Sequence, residues 1–142
     1  MAGRSTRIES GDRTAMKIVV GVLGMDQHEN GAVSAAKVLR DAGMEVVYLG
    51  RFQLPAHIAA AARDEDADCI GLSVHSWEYR LYLPELLALL ESGGRPVPIV
   101  IGGSILTRAD EEELVAMGVA ATFGPACPPQ EIIAKIRAVA RA

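Results

Sequence analysis

Two side chains in one short loop carry the most pointed chemistry in this sequence. Asp26 and His28 stand in the run Gly24-Met25-Asp26-Gln27-His28-Glu29-Asn30-Gly31. A neutral imidazole is a good ligand for a first-row transition metal. A carboxylate bonded to its other ring nitrogen fixes the tautomer and strengthens the donor. The turn between the two residues has to bend them together. The competing reading is a solvated loop in which Asp26 caps the following helix. The run has no phosphate-loop spacing: Gly21 and Gly24 do not make G-x-G-x-x-G, and no Gly-Lys-Ser/Thr is present.

Three later stretches hold weaker signals. Ser73 ends the apolar part of Gly71-Leu72-Ser73-Val74-His75-Ser76, where its hydroxyl could meet a heterocyclic nitrogen or close a strand-end turn. Gly102-Gly103 removes two successive side chains, either for a close approach or for a turn that needs positive φ. Phe123-Gly124-Pro125-Ala126-Cys127-Pro128-Pro129 is a stiff segment that walls a crevice or simply leads into a helix.

These residues matter only if the fold gathers them. Apolar strand-like runs at 17–23, 45–49, 68–73, 97–101 and 120–123 alternate with helical patterns, as a parallel sheet with crossover helices requires. Continuous aliphatic runs suit strands covered on both faces. In 31–42, Ala32, Ala35, Ala36 and Leu39 fall on one helical face, with Ser34, Lys37 and Arg40 mostly opposite. Gly43 follows where a helix C-cap wants a residue tolerant of positive φ. Pro55, Pro84 and Pro128 or Pro129 are predicted in first helical turns, where the missing N–H costs nothing. The pattern predicts an α/β, doubly wound, flavodoxin-like five-stranded parallel sheet in the order 2-1-3-4-5. Ligands of such sheets bind beyond the carboxyl ends of the strands, near the switch point between strands 1 and 3. The loops just described all follow strands.

Composition narrows the function classes. Aromatics make up 4% of residues, which argues against base stacking on nucleic acid. A net charge of −4 without a long basic run argues against nucleic acid and anionic membrane as partners. No apolar run approaches the roughly 20 residues of a membrane span. Residues 1–15 are polar with no hydrophobic signal core, so a disordered extension and a cytoplasmic location are expected. Cys69 and Cys127 form no Cys-x-x-Cys pair and read as free thiols. No internal repeat is visible, and 16–142 reads as a single domain.

With these residues in place, the sequence resembles the cobalamin-binding domain of the carbon-skeleton mutases. The family's Asp-x-His-x-x-Gly motif stands as Asp26, His28 and Gly31, its Ser-x-Leu motif is matched at Ser73, and its Gly-Gly pair by Gly102 and Gly103. The stretches Phe52-Gln53-Leu54-Pro55 and Phe123-Gly124-Pro125 are closer to methylmalonyl-CoA mutase than to glutamate mutase. The resemblance implies adenosylcobalamin bound base-off, with His28 as the lower axial ligand of cobalt and Asp26 accepting the other ring N–H. It implies that Ser73 hydrogen-bonds the displaced benzimidazole, that Gly102 and Gly103 leave room for the nucleotide tail beside a slim, Ala-rich first helix, and that Gly124 is among the cofactor-binding residues. Cobalt–carbon homolysis then supplies the radical.

The sequence departs from the family at three places. Val22 stands where acyl-CoA mutases often carry lysine, His75 replaces the leucine of Ser-x-Leu, and Ala126-Cys127 replaces Gly-Thr. A substrate barrel needs about 250 residues, so the resemblance implies no catalytic residue on this chain alone. It implies a small subunit serving a large TIM-barrel-type catalytic mutase subunit, with acyl-CoA isomerisation as the expected reaction. A glutamate-mutase-type small subunit and a non-catalytic cobalamin carrier or sensor are the alternatives. A phosphorylation receiver is rejected, because Ser73 and Pro125 occupy the places of its phosphoacceptor aspartate and its lysine. Trp77, Tyr79 and Tyr82 are expected as a partner-facing patch. His57 is expected at the surface or in packing, and the acidic run 110–113 in a solvated first helical turn.

Overall fold

The run KIVVGVL forms β1 (Lys17–Leu23), buried along its whole length, as befits a strand with helices on both sides. The computed structural model describes residues 15–24, 30–74, 77–94, 96–124 and 127–141, so the N-terminal extension expected over 1–15 lies almost wholly outside the described residues. After β1 come α1 (Asn30–Asp41), β2 (Glu45–Gln53), α2 (Pro55–Asp64), β3 (Cys69–Ser73), α3 (Tyr79–Ser92), β4 (Ile99–Gly102), α4 (Arg108–Met117), β5 (Ala121–Phe123) and α5 (Pro129–Arg141). All strand pairs are parallel, and the sheet order is 2-1-3-4-5, as the alternation of elements predicts.

The two faces of the sheet are packed differently. Val19, Leu23, Ile70, Leu72, Ile99 and Ile101 meet Ile58 and Ala62 of α2, Tyr79, Leu83 and Leu86 of α3, and Leu114 of α4. On the other face Ile18, Val20, Val22, Cys69, Val100 and Phe123 meet Ala32 and Leu39 of α1 and Ile136 of α5. Three helices therefore cover one face and two the other.

Two boundaries differ from the sequence reading. Pro55 does open α2 and Pro129 opens α5, but Pro84 lies inside α3. It cannot donate the bond that would reach the carbonyl of Arg80. The helix forms through it because Tyr79, Leu83 and Leu86 fall on one face and are buried, which offsets the roughly 3 kcal/mol cost of an interior proline. β2 runs to Gln53, through Gly50 and beyond the 45–49 run expected from the sequence. While β1 advances from Gly21 to Leu23, β2 advances from Gly50 to Gln53, and a further irregularity falls between Val20 and Gly21. Extra residues on one strand of a pair are bulges. Here they place Gly50 at φ 90° and Phe52 at φ 62°.

Candidate functional site

The carboxyl ends of β3, β4 and β5 open onto a groove of about 470 Å³ between α1 and α5. Its floor is the two-helix face of the sheet, at Val20, Gly71 and Val100, and its mouth carries Ser73, Gly102, Gly103, Ser104 and Gly124. Gly31, Ala32, Ser34, Ala35 and Val38 form the α1 wall, and Cys127, Ile132 and Ile136 line the side of α5 and the chain before it. Alternate residues of a strand share a face. On β3 the groove face therefore reads Cys69, Gly71, Ser73, three small residues in a row. Those small residues leave the floor of the groove unfilled between α1 and α5.

The glycines reach this surface for different reasons. A Cβ on Gly31 would meet nothing within 4 Å, so that part of the wall borders open space. A Cβ on Gly102 would touch Phe123 at 3.5 Å, an ordinary contact, whereas one on Gly103 would drive into the carbonyl oxygen of Val74. Neither glycine of the pair has positive φ, so the turn explanation does not apply. Gly103 is required by the close approach of the β3 and β4 exits. Gly124 is backed by Glu111: its Cβ would lie 3.2 Å from Glu111 Oε2, and Glu111 accepts a 2.7 Å hydrogen bond from the Thr122 hydroxyl.

The acidic run is thus more engaged than a solvated turn. Asp110 and Thr107 form a reciprocal capping box, Thr107 N–H donating at 3.0 Å and Asp110 N–H at 3.1 Å. These bonds, with Arg80 nearby, hold the Asp110 carboxyl below its ordinary value. Arg80 also bridges to Glu113 at 3.0 Å. The guanidinium is pushed up, first by its contact with the Tyr79 hydroxyl and then by the carboxylates. His57 is exposed, within the surface-or-packing expectation.

Both cysteines are free. Burial pushes the Cys69 thiol up to about 12. The Cys127 thiol is also raised, by burial and then by Glu131, but it stands on the groove wall.

Gly31, Ser73, Gly102, Gly103 and Gly124 are therefore brought to one groove. Asp26 and His28 lie outside the described residues, as does His75. The residues flanking the Asp26–His28 loop are described: Gly24 ends β1, and Gly31, in the first turn of α1, lines the groove. Gly71, Ser104 and the α5 side were missed by sequence reasoning. The alternation of small residues on β3 could have revealed Gly71, whereas the α5 contacts follow only from tertiary packing.

The expected aromatic patch divides. Tyr79 is 2% exposed and belongs to the core, because α3 begins there and turns its ring inward. Tyr82 packs partly against the core, and Trp77 alone projects, 78% exposed. Among the described residues, no helix is long and apolar enough to cross a membrane.

Comparison with known proteins gives a consistent picture. Residues 16–134 match the family model described as B12 binding domain. The chain is 33% identical over 131 residues to the 2-hydroxyisobutanoyl-CoA mutase small subunit of Aquincola tertiaricarbonis, covering 92% of this chain and 96% of that protein. It is 33% identical to the pivalyl-CoA mutase small subunit of Xanthobacter autotrophicus, covering 93% of this chain and 88% of that one. Against the ethylmalonyl-CoA mutase of Cereibacter sphaeroides identity is 43% over 78% of this chain, which spans only 17% of that enzyme's length. Among solved structures, a cobalamin-binding protein from Desulfitobacterium hafniense superposes with a TM-score of 0.76 at 17% identity, over 89% of this chain and 60% of that one. The receiver domain of the response regulator NarL from Mycobacterium tuberculosis superposes with a TM-score of 0.66 at 16% identity, over 90% and 98% of the two chains. These structural likenesses define the fold.

Proposed function

The chain belongs to the B12-binding domain family, and from that premise we propose that it is the cobalamin-binding small subunit of an adenosylcobalamin-dependent acyl-CoA mutase of the methylmalonyl-CoA type. The observation that carries this reading is the groove at the switch-point edge of the sheet, kept open by Gly31, Gly71 and Gly102. Pockets of about 300–1,000 Å³ enclose a drug-sized ligand. A groove of about 470 Å³ therefore suits the nucleotide tail of the cofactor and leaves the corrin outside. The donor set agrees: apolar walls suit an aromatic base, and hydroxyls at Ser73 and Ser104 can donate or accept.

His28 would hold cobalt, and Asp26 would accept its second N–H, fixing the tautomer that leaves a lone pair for the metal. Ser73 hydrogen-bonds the base, while Gly102 and Gly124 keep side chains out of the tail's path. The bound cofactor supplies homolysis of its cobalt–carbon bond. The protein's own part is to bind, orient and exclude water. A separate barrel-type catalytic chain completes the enzyme in this reading. The two relatives that this chain spans almost fully are both small subunits. A cytoplasmic location and a cofactor-binding domain over residues 16–142 complete the proposal.

The test is EPR of the Co(II) form reconstituted with nitrogen-15 labelled histidine. A protein nitrogen splits the signal, and His28→Ala abolishes that splitting. Splitting from the cofactor's own base instead overturns the ligand assignment. The isolated chain gives no acyl-CoA isomerisation until a catalytic subunit is added; turnover by the chain alone overturns the two-chain arrangement.

A further inference from the structure

Four large apolar side chains stand exposed on two segments that meet at Gly24. Phe52 (43% exposed) and Leu54 (39%) lie at the end of β2 and just after it, while Trp77 (78%) and Leu81 (70%) lie before and within the first turn of α3. The N–H of Gly24 donates to the carbonyl of Gln53 at 2.8 Å. A side chain on Gly24 would collide with the Glu78 carboxylate and lie 3.1 Å from the Tyr82 ring. Both segments therefore abut the last described residue before the Asp26–His28 loop.

Phe52 is held there against its own preference. Its φ of 62° is a left-handed conformation that a bulky aromatic rarely adopts. The Gln53 amide fixes the hook by donating to the carbonyls of Leu49 and Arg51, both at 3.1 Å. Backbone strain of this kind persists where the surroundings over-determine it, and clusters at functional sites. The residue is only part-buried, at 43% exposed, so burial within this chain offsets only part of that cost. Each projecting aromatic carries an arginine: Arg51 lies 5.3 Å from the Phe52 centroid and Arg80 5.8 Å from that of Trp77. Aromatic and arginine anchors are the composition of interface hot spots.

We propose that this corner seats the catalytic chain, with Phe52 and Trp77 as its anchors. The inference rests on the mutase-subunit reading and names the surface that reading requires. The ethylmalonyl-CoA mutase relative carries the equivalent of this chain as 17% of one polypeptide, and two relatives that this chain spans almost fully are named as small subunits, which makes a catalytic chain the occupant of this surface. The corner and the cofactor groove adjoin the two ends of the same loop. A catalytic chain docked on the corner thus sits over the cofactor without entering the groove.

The experiment titrates the adenosylcobalamin-loaded chain with the catalytic large subunit of the same organism, following association by calorimetry. Phe52→Gly relieves the left-handed strain, so the thermal midpoint of the isolated chain does not fall, whereas the partner Kd rises at least tenfold. Trp77→Ser raises it similarly, and cobalamin affinity of the isolated chain is unchanged in both. Wild-type partner affinity in both variants overturns the proposal. So does a loss of thermal midpoint or cobalamin affinity that parallels the loss of partner binding, because it would assign the residues to the fold. If the wild-type chain fails to bind any catalytic subunit, the two-chain reading itself falls, and this surface with it.

Discussion

Gly31 and Gly103 line the same groove, yet the structure requires opposite outcomes when each gains a side chain. A Cβ on Gly31 meets nothing within 4 Å, and glycine within a helix costs up to about 1 kcal/mol relative to alanine. Gly31→Leu should therefore hold or raise the stability of the free chain, by up to a few degrees in Tm for a domain of this size. With cobalamin present the same leucine competes with the ligand. Overpacking costs about 1–3 kcal/mol, which corresponds to a roughly 5- to 150-fold loss of affinity. Gly103→Ala must instead push the Val74 carbonyl away, costing a similar 1–3 kcal/mol in the free chain and lowering Tm before any ligand is added. Circular-dichroism melts of the free proteins, with cobalamin titrations followed by absorbance, separate the two. Wild-type cobalamin affinity in Gly31→Leu would refute the assignment of this groove, and an unchanged Tm in Gly103→Ala would refute the close-approach argument.

Further outcomes follow from single contacts. Asp26→Asn should keep the protein-nitrogen EPR splitting while weakening cobalamin binding about 10- to 100-fold, the usual loss when a ligand's supporting partner is removed; loss of the splitting would mean that Asp26 does more than orient the ring. Thr107→Ala should cost about 0.5–2 kcal/mol at neutral pH through loss of the α4 cap. Because the Asp110 carboxyl is held below its ordinary 3.8, its folded form favours the ionised state. Its stabilisation is complete above that value and is lost as pH falls through the lower folded pKa. The Tm gap between wild type and Asp110→Asn should accordingly close in acid, and a gap constant down to pH 2 would contradict this. A thiol reagent should label Cys127 and spare Cys69, whose thiol is pushed up to about 12 by burial; saturating cobalamin should slow the Cys127 reaction, since that side chain lines the groove.

The strand order and the edge that carries the groove were legible because parallel βα units leave few arrangements, and the switch-point rule then names the edge. Ser73, Gly102 and Gly124 could be placed because the first two end a strand and the third directly follows one. What escaped was decided by tertiary packing. Pro84 reads as a helix start until Tyr79, Leu83 and Leu86 are seen buried on one face. Tyr79 reads as part of a partner-facing patch until its burial on that same face is seen. The β2 extension to Gln53 crosses Gly50, and only the bulged pairing with β1 explains it. Gly103 invited an argument from positive φ, but the constraint is a carbonyl on a neighbouring segment, which local sequence cannot disclose.

The unequal faces of the sheet explain how a chain of 142 residues can hold a groove open and still fold. Every groove-facing choice removes apolar contact: Gly71 and Ser73 on β3, Gly102 on β4, Ala32 and Ala35 on α1. At about 25 cal/mol per Å² of apolar surface, such losses would be serious if both faces shared them. They are confined to the α1–α5 face. The opposite face packs Tyr79, Leu83, Leu86, Ile58 and Leu114 at 2% exposure or less against Ile70, Ile99 and Ile101, where one leucine-to-alanine truncation costs about 2–5 kcal/mol. The larger share of the core thus lies on one side of the sheet, and the other, with its smaller cluster, leaves room for a ligand to supply the contacts that its small residues omit. Such a ligand stabilises the native state by mass action, so the α1–α5 face is where binding and stability should be coupled.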